Sequence, residues 1–322
     1  MLVATFGGIL YSVTNDLANN VHRLPHVFAP LNQAQRPTTP AVAAHSMTFL
    51  LVGLDTRSTS PTTGNGTSSS SFVAGSNSDV MMVVRLNAAR TSATLVSIPR
   101  DSYVAIPGYG KGKINSSYAI GGPTLAVRTV EALTHIRIDH FATIDFDGFK
   151  TMTTAVGGVD VRVADQTSSA GVTFHAGIDH LSGNQALAYV RQRHGLPRSD
   201  LDRVQRQQNV LRALMNKAVS GGLLTSPGRT YHLLSAVTKS VSIDDTMSNG
   251  ALRSLAFGLR DMRPSHVTFM TAPVSGFGME GSLDVVYLDA QRAPLLWQAV
   301  NNNKVPAYLA KYGGDTLPHN PR

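Results

Sequence analysis

The sequence predicts an α/β fold, a three-layer α/β/α sandwich with helices on both faces of a central mixed, twisted sheet. Two observations carry this. Short β-branched or apolar runs alternate with segments of helical period along the whole chain. Apolar residues make up 42% of 322 residues, ample for a large buried core, and no internal repeat is visible.

The first strand is MTFLLVG at 47–53, a short apolar run closed by glycine. Residues 57–78 are rich in Ser, Thr and Gly and predict a long loop. VMMVVRL at 80–86 and ATLVSI at 93–98 read as a hairpin joined by NAARTS. TLAVRTVEALTHI at 124–136 has helical period, and Pro123 suits its first turn. HFATIDF then predicts a strand, DGFKTMTTAV a helix and GVDVRV a strand. Helices are expected near 183–192, 201–219, 229–239 and 247–259, strands near 266–272 and 284–288, and a last helix near 289–302.

The ends are read differently. Residues 1–13 are apolar for about a dozen positions, short of the ~20 that cross a bilayer, and lack the basic start and cleavage site of a signal peptide. They are read as the remnant of a membrane anchor, against an ordinary apolar helix. Residues 14–45, mixed and Pro/Ala-containing, are read as a linker, 46–305 as the folded domain and 306–322 as a C-terminal tail.

Lys and Arg outnumber Asp and Glu by 28 to 20, a net charge of +8 that suits an anionic partner: nucleic acid, phosphate or an anionic membrane surface. The absence of cysteine excludes disulfides, thiolate catalysis and Cys-ligated zinc. The histidines, among them His175, His180 and His194, show no metal spacing. There is no GxSxG elbow, and Ser97 and Ser102 have no paired base in view.

The hairpin gives a geometric argument. A turn centred between Ala89 and Arg90 pairs positions whose numbers total 179, so Asp79 lies beside Arg100. If the 47–53 strand runs antiparallel to the next, Asp55 leaves the sheet at the same end, and Asp55, Asp79, Arg100 and Asp101 converge there. Carboxylates with an arginine at one rim suit an oxygen-liking divalent cation beside a phosphate clamp. The competing reading is a structural cross-strand ion pair with Asp101 as a turn residue. GYGKGKINSSYAIGG at 108–122 is a Gly-rich segment that would bring backbone N–H groups and Lys113 to an anion, though it is not a Walker loop.

Residues 189–214 concentrate Arg191, Arg193, Arg198, Arg203, Arg206 and Arg212, with no lysine, in a chain only 15% charged. Arginine is preferred where planar, bidentate phosphate contacts are needed. Arg191 and Arg193 fall at or just past a helix end, and Ser199, Asp200 or Asp202 offers an N-cap to the next helix. On that helix Val204, Gln208, Leu211 and Met215 form an inward stripe, while Arg203, Arg206, Gln207 and Val210 share another face. The alternative is a solvated basic face, and Arg198 and Arg212 are read as ordinary surface charge.

From about Thr48 to Leu214 the chain resembles the LytR-CpsA-Psr family of cell-envelope glycopolymer transferases. The matching motifs are FLLVGLDTR, SDVMMVVRLN, LVSIPRDSYV, KINSSYAIGGP, FDGFKTMTTAVGGVDV, LSGNQALAYVRQRH and DLDRVQRQQ. The resemblance implies a domain anchored to the cell membrane by a single N-terminal segment and facing outward. It also implies transfer of a phosphate-linked glycan from a polyprenyl-pyrophosphate lipid to peptidoglycan, with Mg2+ or Mn2+. By motif position, Asp55 and Asp79 would lie at the metal, Arg100 with it at the pyrophosphate and Asp101 nearby. Lys113, Arg191, Arg193, Arg203 and Gln207 would bind the pyrophosphate and head group, and Asp79 or Asp101 would take the acceptor proton. The family often has Arg just before its SD motif; Ser76 and Asn77 stand there, leaving Arg57 and Arg85 as candidate substitutes.

The competing functions are a metal-dependent hydrolase of the same lipid and a non-catalytic module binding anionic glycan or lipid. Nucleic-acid binding ranks last, because the basic groups gather at one corner without interleaved aromatics.

Overall fold

The computed structural model describes residues 19–55, 62–64, 67, 75–220 and 227–322. The chain begins with β1 (His22–Leu24), β2 (Met47–Asp55), β3 (Asn77–Leu86) and β4 (Ala93–Ser97). The β5–β6 hairpin (Tyr103–Ile106, Gly110–Lys113) leads into α1 (Ile114–Thr134). Next come β7 (His140–Asp145), α2 (Phe146–Ala155), β8 (Val159–Val163), β9 (Thr167–Ser169), β10 (Val172–Phe174) and β11 (Gly177–Leu181). Then follow α3 (Gly183–Arg191), α4 (Asp200–Ser220), α5 (Pro227–Ser240), β12 (Val241–Asp244), α6 (Asn249–Gly258) and β13 (Val267–Thr271). The β14–β15 hairpin (Val274–Glu280, Leu283–Leu288), α7 (Arg292–Asn301), α8 (Val305–Tyr312) and β16 (Asp315–Thr316) complete the order.

Eight strands form the central sheet in the order β1-β12-β7-β2-β3-β4-β13-β16. β2 is parallel to β7 and antiparallel to β3, while β4 is antiparallel to β3 and parallel to β13. The carboxyl ends of β2, β7, β4 and β13 therefore share one rim with the amino end of β3. In open α/β sheets that rim is where ligands bind.

Strand alternation builds both cores. Leu50, Val52 and Leu54 pack with residues of α1, α7 and α8, including Val127, Trp297 and Tyr308. Phe49 and Leu51 face the opposite layer, where Leu255 of α6 packs; on that side of β3 and β4, Met82 and Leu95 meet Leu211 and Met215 of α4. The expected three layers are present.

α4 departs from a one-sided amphipathic helix. Leu211 and Met215 join the sheet core, as the expected stripe requires, but Val210 and Ala213 join a second core with Val161, Phe174 and Tyr189. Every residue from Asp202 to Val210 is buried. The helix thus runs between two cores, and its second face is no solvated basic surface.

Several expected boundaries shift. The stretch read as a linker carries β1, parallel to β12, and puts Val27, Phe28 and Leu31 into the main core. Arg36 reaches the buried Glu131 at 2.7 Å and holds that segment against α1. The stretch read as a tail contains most of α8 and also β16, antiparallel to β13. Its apolar side chains Leu309 and Leu317 explain the packing. The Gly-rich 108–122 segment is a hairpin followed by helix rather than an open loop. α1 already starts at Ile114 and kinks at Gly121–Gly122, where Gly122 takes φ 61° before Pro123. Among the described residues no helix is long and apolar enough to cross a membrane, and the expected anchor lies outside them.

Candidate functional site

The site is built on the β3–β4 register. Met82 faces Ser97, Leu86 faces Ala93, and the Ile98 N–H donates to the Met81 carbonyl at 2.9 Å. Continued to the strand ends, this pairing sets Asp79 opposite Arg100, and Arg100 Nη1 donates to Asp79 Oδ1. Both side chains are mostly buried. Arg100 Nε also lies 3.5 Å from Asp101 Oδ2, and Lys113 Nζ lies 3.0 Å from Asp101 Oδ1. The β5–β6 hairpin supplies Lys113, which pairs with Tyr103 as the last residue before α1. The first two N–H groups of that helix are not free for an anion: Ile114 donates to the Ser102 carbonyl and Asn115 to that of Arg100. From the Gly-rich segment it is Lys113 that joins the charged groups of the site.

The facing wall comes from the start of α4. Arg203 is 3% exposed and Asp200 7%, and Arg203 Nη2 lies 2.8 Å from Asp200 Oδ1. The N–H directions miss the oxygen, so Arg203 Nε and Nη2 and both Asp200 oxygens are buried without a hydrogen-bond partner. Burial pushes the Arg203 guanidinium down, Asp200 opposes this, and Arg100 adds to it, which places the two arginines within mutual electrostatic reach. Arg100 is also penalised by burial, yet Asp79, Asp101 and Asp200 hold it above its ordinary value. Arg193, 43% exposed, reaches Asp200 at 3.6 Å. Gln207 is buried one turn after Arg203 on the same side of α4.

Asp55 ends β2 opposite Asn77 and keeps Oδ1 buried without a partner. Arg191 stands apart, exposed and stacked 4.5 Å over the Phe146 ring at the start of α2. The structure thus joins Asp79, Arg100, Asp101, Lys113, Arg193 and Arg203 in one charged cluster. Asp55 and Gln207 flank it, and Arg191 lies to one side.

Arg85 cannot replace the missing family arginine. It sits at the far end of β3, six residues or about 20 Å from Asp79, where it donates to Thr48 Oγ1 and the Asn301 carbonyl. Arg57 lies outside the described residues. Arg198 and Arg212 are not free surface charge either: Arg198 bridges Asp202 and Asp315, and Arg212 holds the carbonyls of Pro318 and His319. Sequence reasoning had placed Asp200 only as a cap. Its signal was the i,i+3 spacing to Arg203 in the first turn of a helix.

Among the described residues no three or more His, Asp or Glu side chains converge into a ready metal cage. Mg2+ does not need one, since it commonly binds through one or two carboxylates plus substrate phosphates. Asp55, with its orphaned buried oxygen, and Asp79 fit that requirement.

Residues 25–302 match the LytR_cpsA_psr family. The cell wall biosynthesis protein LcpA of Corynebacterium glutamicum is 36% identical over 261 residues, 72% of this chain and 50% of that protein. The chain thus spans about half the length of that relative. The polyisoprenyl-teichoic acid–peptidoglycan teichoic acid transferase TagU of Bacillus anthracis is 35% identical over 245 residues, 74% of each chain. The crystal structure of B. subtilis TagV shares the fold with a TM-score of 0.64 and 26% identity, covering 81% of this chain and 97% of that one.

Proposed function

This chain belongs to the LytR_cpsA_psr family, and from that premise we propose that it transfers a phosphate-linked glycopolymer from a polyprenyl-pyrophosphate carrier to peptidoglycan. The observation that carries the reading is the electrostatically coupled pair of arginines, Arg100 and Arg203, whose Arg100 Nε and Arg203 Nε and Nη2 are buried without a hydrogen-bond partner. Buried donors left unsatisfied are costly, and a pyrophosphate offers the oxygens they lack. The name of the TagU relative supports the same donor and acceptor. The domain acts at the outer face of the membrane, where that acceptor lies.

In this mechanism Arg100 and Arg203 bind the two phosphates, with Lys113, Arg193 and Gln207 extending the cradle along the head group. Being fixed by packing before the substrate arrives, they stabilise charge on the transferring phosphorus without reorganising. A hydroxyl of the acceptor attacks the glycan-proximal phosphorus, the bond to the lipid phosphate breaks, and polyprenyl phosphate leaves. The hydroxyl proton passes to a rim carboxylate, Asp79 or Asp101. Asp55 and Asp79 would hold Mg2+ or Mn2+, which when bound supplies charge neutralisation at the phosphate oxygens.

The test is transfer from a prenyl-pyrophosphate sugar to peptidoglycan by wild type, Arg100→Ala and Arg203→Ala. Both variants should lose transfer. Release of polyprenyl phosphate at the same rate without acceptor would make the protein a hydrolase. Binding with no turnover under any condition would make it a lipid- or glycan-binding module.

A further inference from the structure

Arg206 is fully buried, yet no Asp or Glu side chain among the described residues forms an ion pair with it. Arginine is seldom buried unless paired, so its role needs another account. Its donors go to acceptors on three separate segments. Nη1 donates to Gln192 Oε1 at 2.7 Å, Nη2 to Thr167 Oγ1 at 2.8 Å, and Nε to the main-chain oxygen of Arg322 at 3.0 Å. The guanidinium lies 4.3 Å over the Tyr189 ring and 5.5 Å from that of Phe174, so aromatic contacts add to its hydrogen bonds.

The bridge matters because of what flanks it. Gln192, 2% exposed, stands between Arg191 and Arg193, and its Nε2 donates to the His194 carbonyl at 3.1 Å. Arg206 follows Arg203 by three residues and precedes Gln207 on α4. A single hydrogen bond between two buried side chains thus ties the turn after α3 to the helix that carries the facing guanidinium.

We propose that Arg206 and Gln192 are positioning residues that set the spacing of the two anion-binding segments, Arg191–Arg193 and Arg203–Gln207, without touching the ligand. This rests on the pyrophosphate reading of the site. A planar fork fixes direction as well as distance, which a lysine cannot do, and small displacements of binding groups are costly for a reaction that depends on orientation.

The experiment uses the full chain with Gln192→Leu, Arg206→Lys and the double variant. Farnesyl pyrophosphate with Mg2+ is the probe, and amide hydrogen exchange is followed over residues 191–195. Gln192→Leu changes no charge; it should speed exchange in that turn and weaken binding by about tenfold, with some loss of melting temperature, because buried Arg206 loses an acceptor. In turnover, KM should rise far more than kcat falls. Arg206→Lys keeps the charge and should weaken binding as much, and the double variant no further, because both break one bridge. Wild-type binding by folded Gln192→Leu, or additive losses in the double variant, would overturn the positioning role while leaving the pyrophosphate reading intact. A wild type that binds no farnesyl pyrophosphate sinks the reading and the positioning role together.

Discussion

Asp200 and Arg203 sit one helical turn apart on α4 and approach to 2.8 Å, both almost wholly buried, yet neither Asp200 oxygen completes a hydrogen bond. An ion pair that served stability alone would align its donors. This one holds Arg203 in place while its buried Nε and Nη2 complete no hydrogen bond, which makes Asp200 a competitor of any anionic ligand that reaches them.

Replacing Asp200 by Asn tests that competition. Removing one partner of a buried pair strands the other charge, so unfolding free energy should fall by about 3 kcal/mol. Pyrophosphate affinity should move the other way, tightening roughly fivefold, or about 1 kcal/mol, because the cluster gains one net positive charge. Chemical denaturation and calorimetric titration of the same protein read the two effects. Weaker binding in the variant would show instead that Asp200 orients Arg203 for the ligand.

Arg100→Lys separates charge from geometry. Arg100 spans Asp79 with Nη1 and approaches Asp101 with Nε, so its fork fixes both carboxylates. A lysine supplies one point charge and loses that double hold. Turnover should fall by about 10^2-fold, in the range seen when one preorganised donor is removed. Stability should drop by about 1–3 kcal/mol, since Asp79 keeps a cationic neighbour but the mostly buried carboxylates lose hydrogen-bonding donors. Single-turnover kinetics and a denaturation curve check the pair of values.

The part of this site that was legible in the sequence depended on rules that act locally. Strand pairing has a fixed period, so the turn at Ala89–Arg90 was enough to put Asp79 beside Arg100. Antiparallel pairing of β2 with β3 then brought Asp55 to the same rim. What sequence reasoning missed depends on which surfaces become buried, which no local pattern states. For the charged stretch of α4 a solvated basic face stayed open as the alternative because arginine is usually exposed; the second core turned that face inward and made Arg206 a bridge. The N-terminal linker and C-terminal tail were misread because short strands such as β1 and β16 have little sequence signal without their partners. Pro123 and the glycines before it hid the helical turns starting at Ile114.

Acid should destabilise the domain through Asp244, on the strand β12. Burial works against its charged form, but hydrogen bonds from His140, Thr246 and the Phe141 N–H prevail and hold the carboxyl below its ordinary range. A carboxyl with a depressed folded-state pKa contributes stability that is fully present above the unfolded value, about 3.9, and is lost as pH falls through the folded value. Unfolding free energy should therefore decline below about pH 4. Asp244→Asn should be less stable at neutral pH and show a shallower acid slope. Urea denaturation from pH 2 to 7 measures both, and equal slopes in the two proteins would remove Asp244 from the account.

The metal prediction follows from counting charge at the rim. Arg100, Lys113, Arg193 and Arg203 face Asp79, Asp101 and Asp200, with Asp55 beside them, so the cluster is close to neutral before any ligand arrives. A pyrophosphate diester brings two more negative charges, and without a counter-charge it would have to displace carboxylates already held by arginine. A divalent cation removes that conflict, and Asp55 has a buried oxygen to spare without the arginine pairing that occupies Asp200. Asp55→Asn should leave the fold and the metal-free affinity for farnesyl pyrophosphate nearly unchanged, because no ion pair joins Asp55 to the cluster among the described residues. The Mg2+ concentration that half-saturates binding should rise by at least about tenfold, or 1.4 kcal/mol. Asp79→Asn should instead change both, since it also frees Arg100. A Mg2+ titration of binding for the two variants tells them apart, and an Asp55→Asn curve that overlays wild type would place the cation on other ligands.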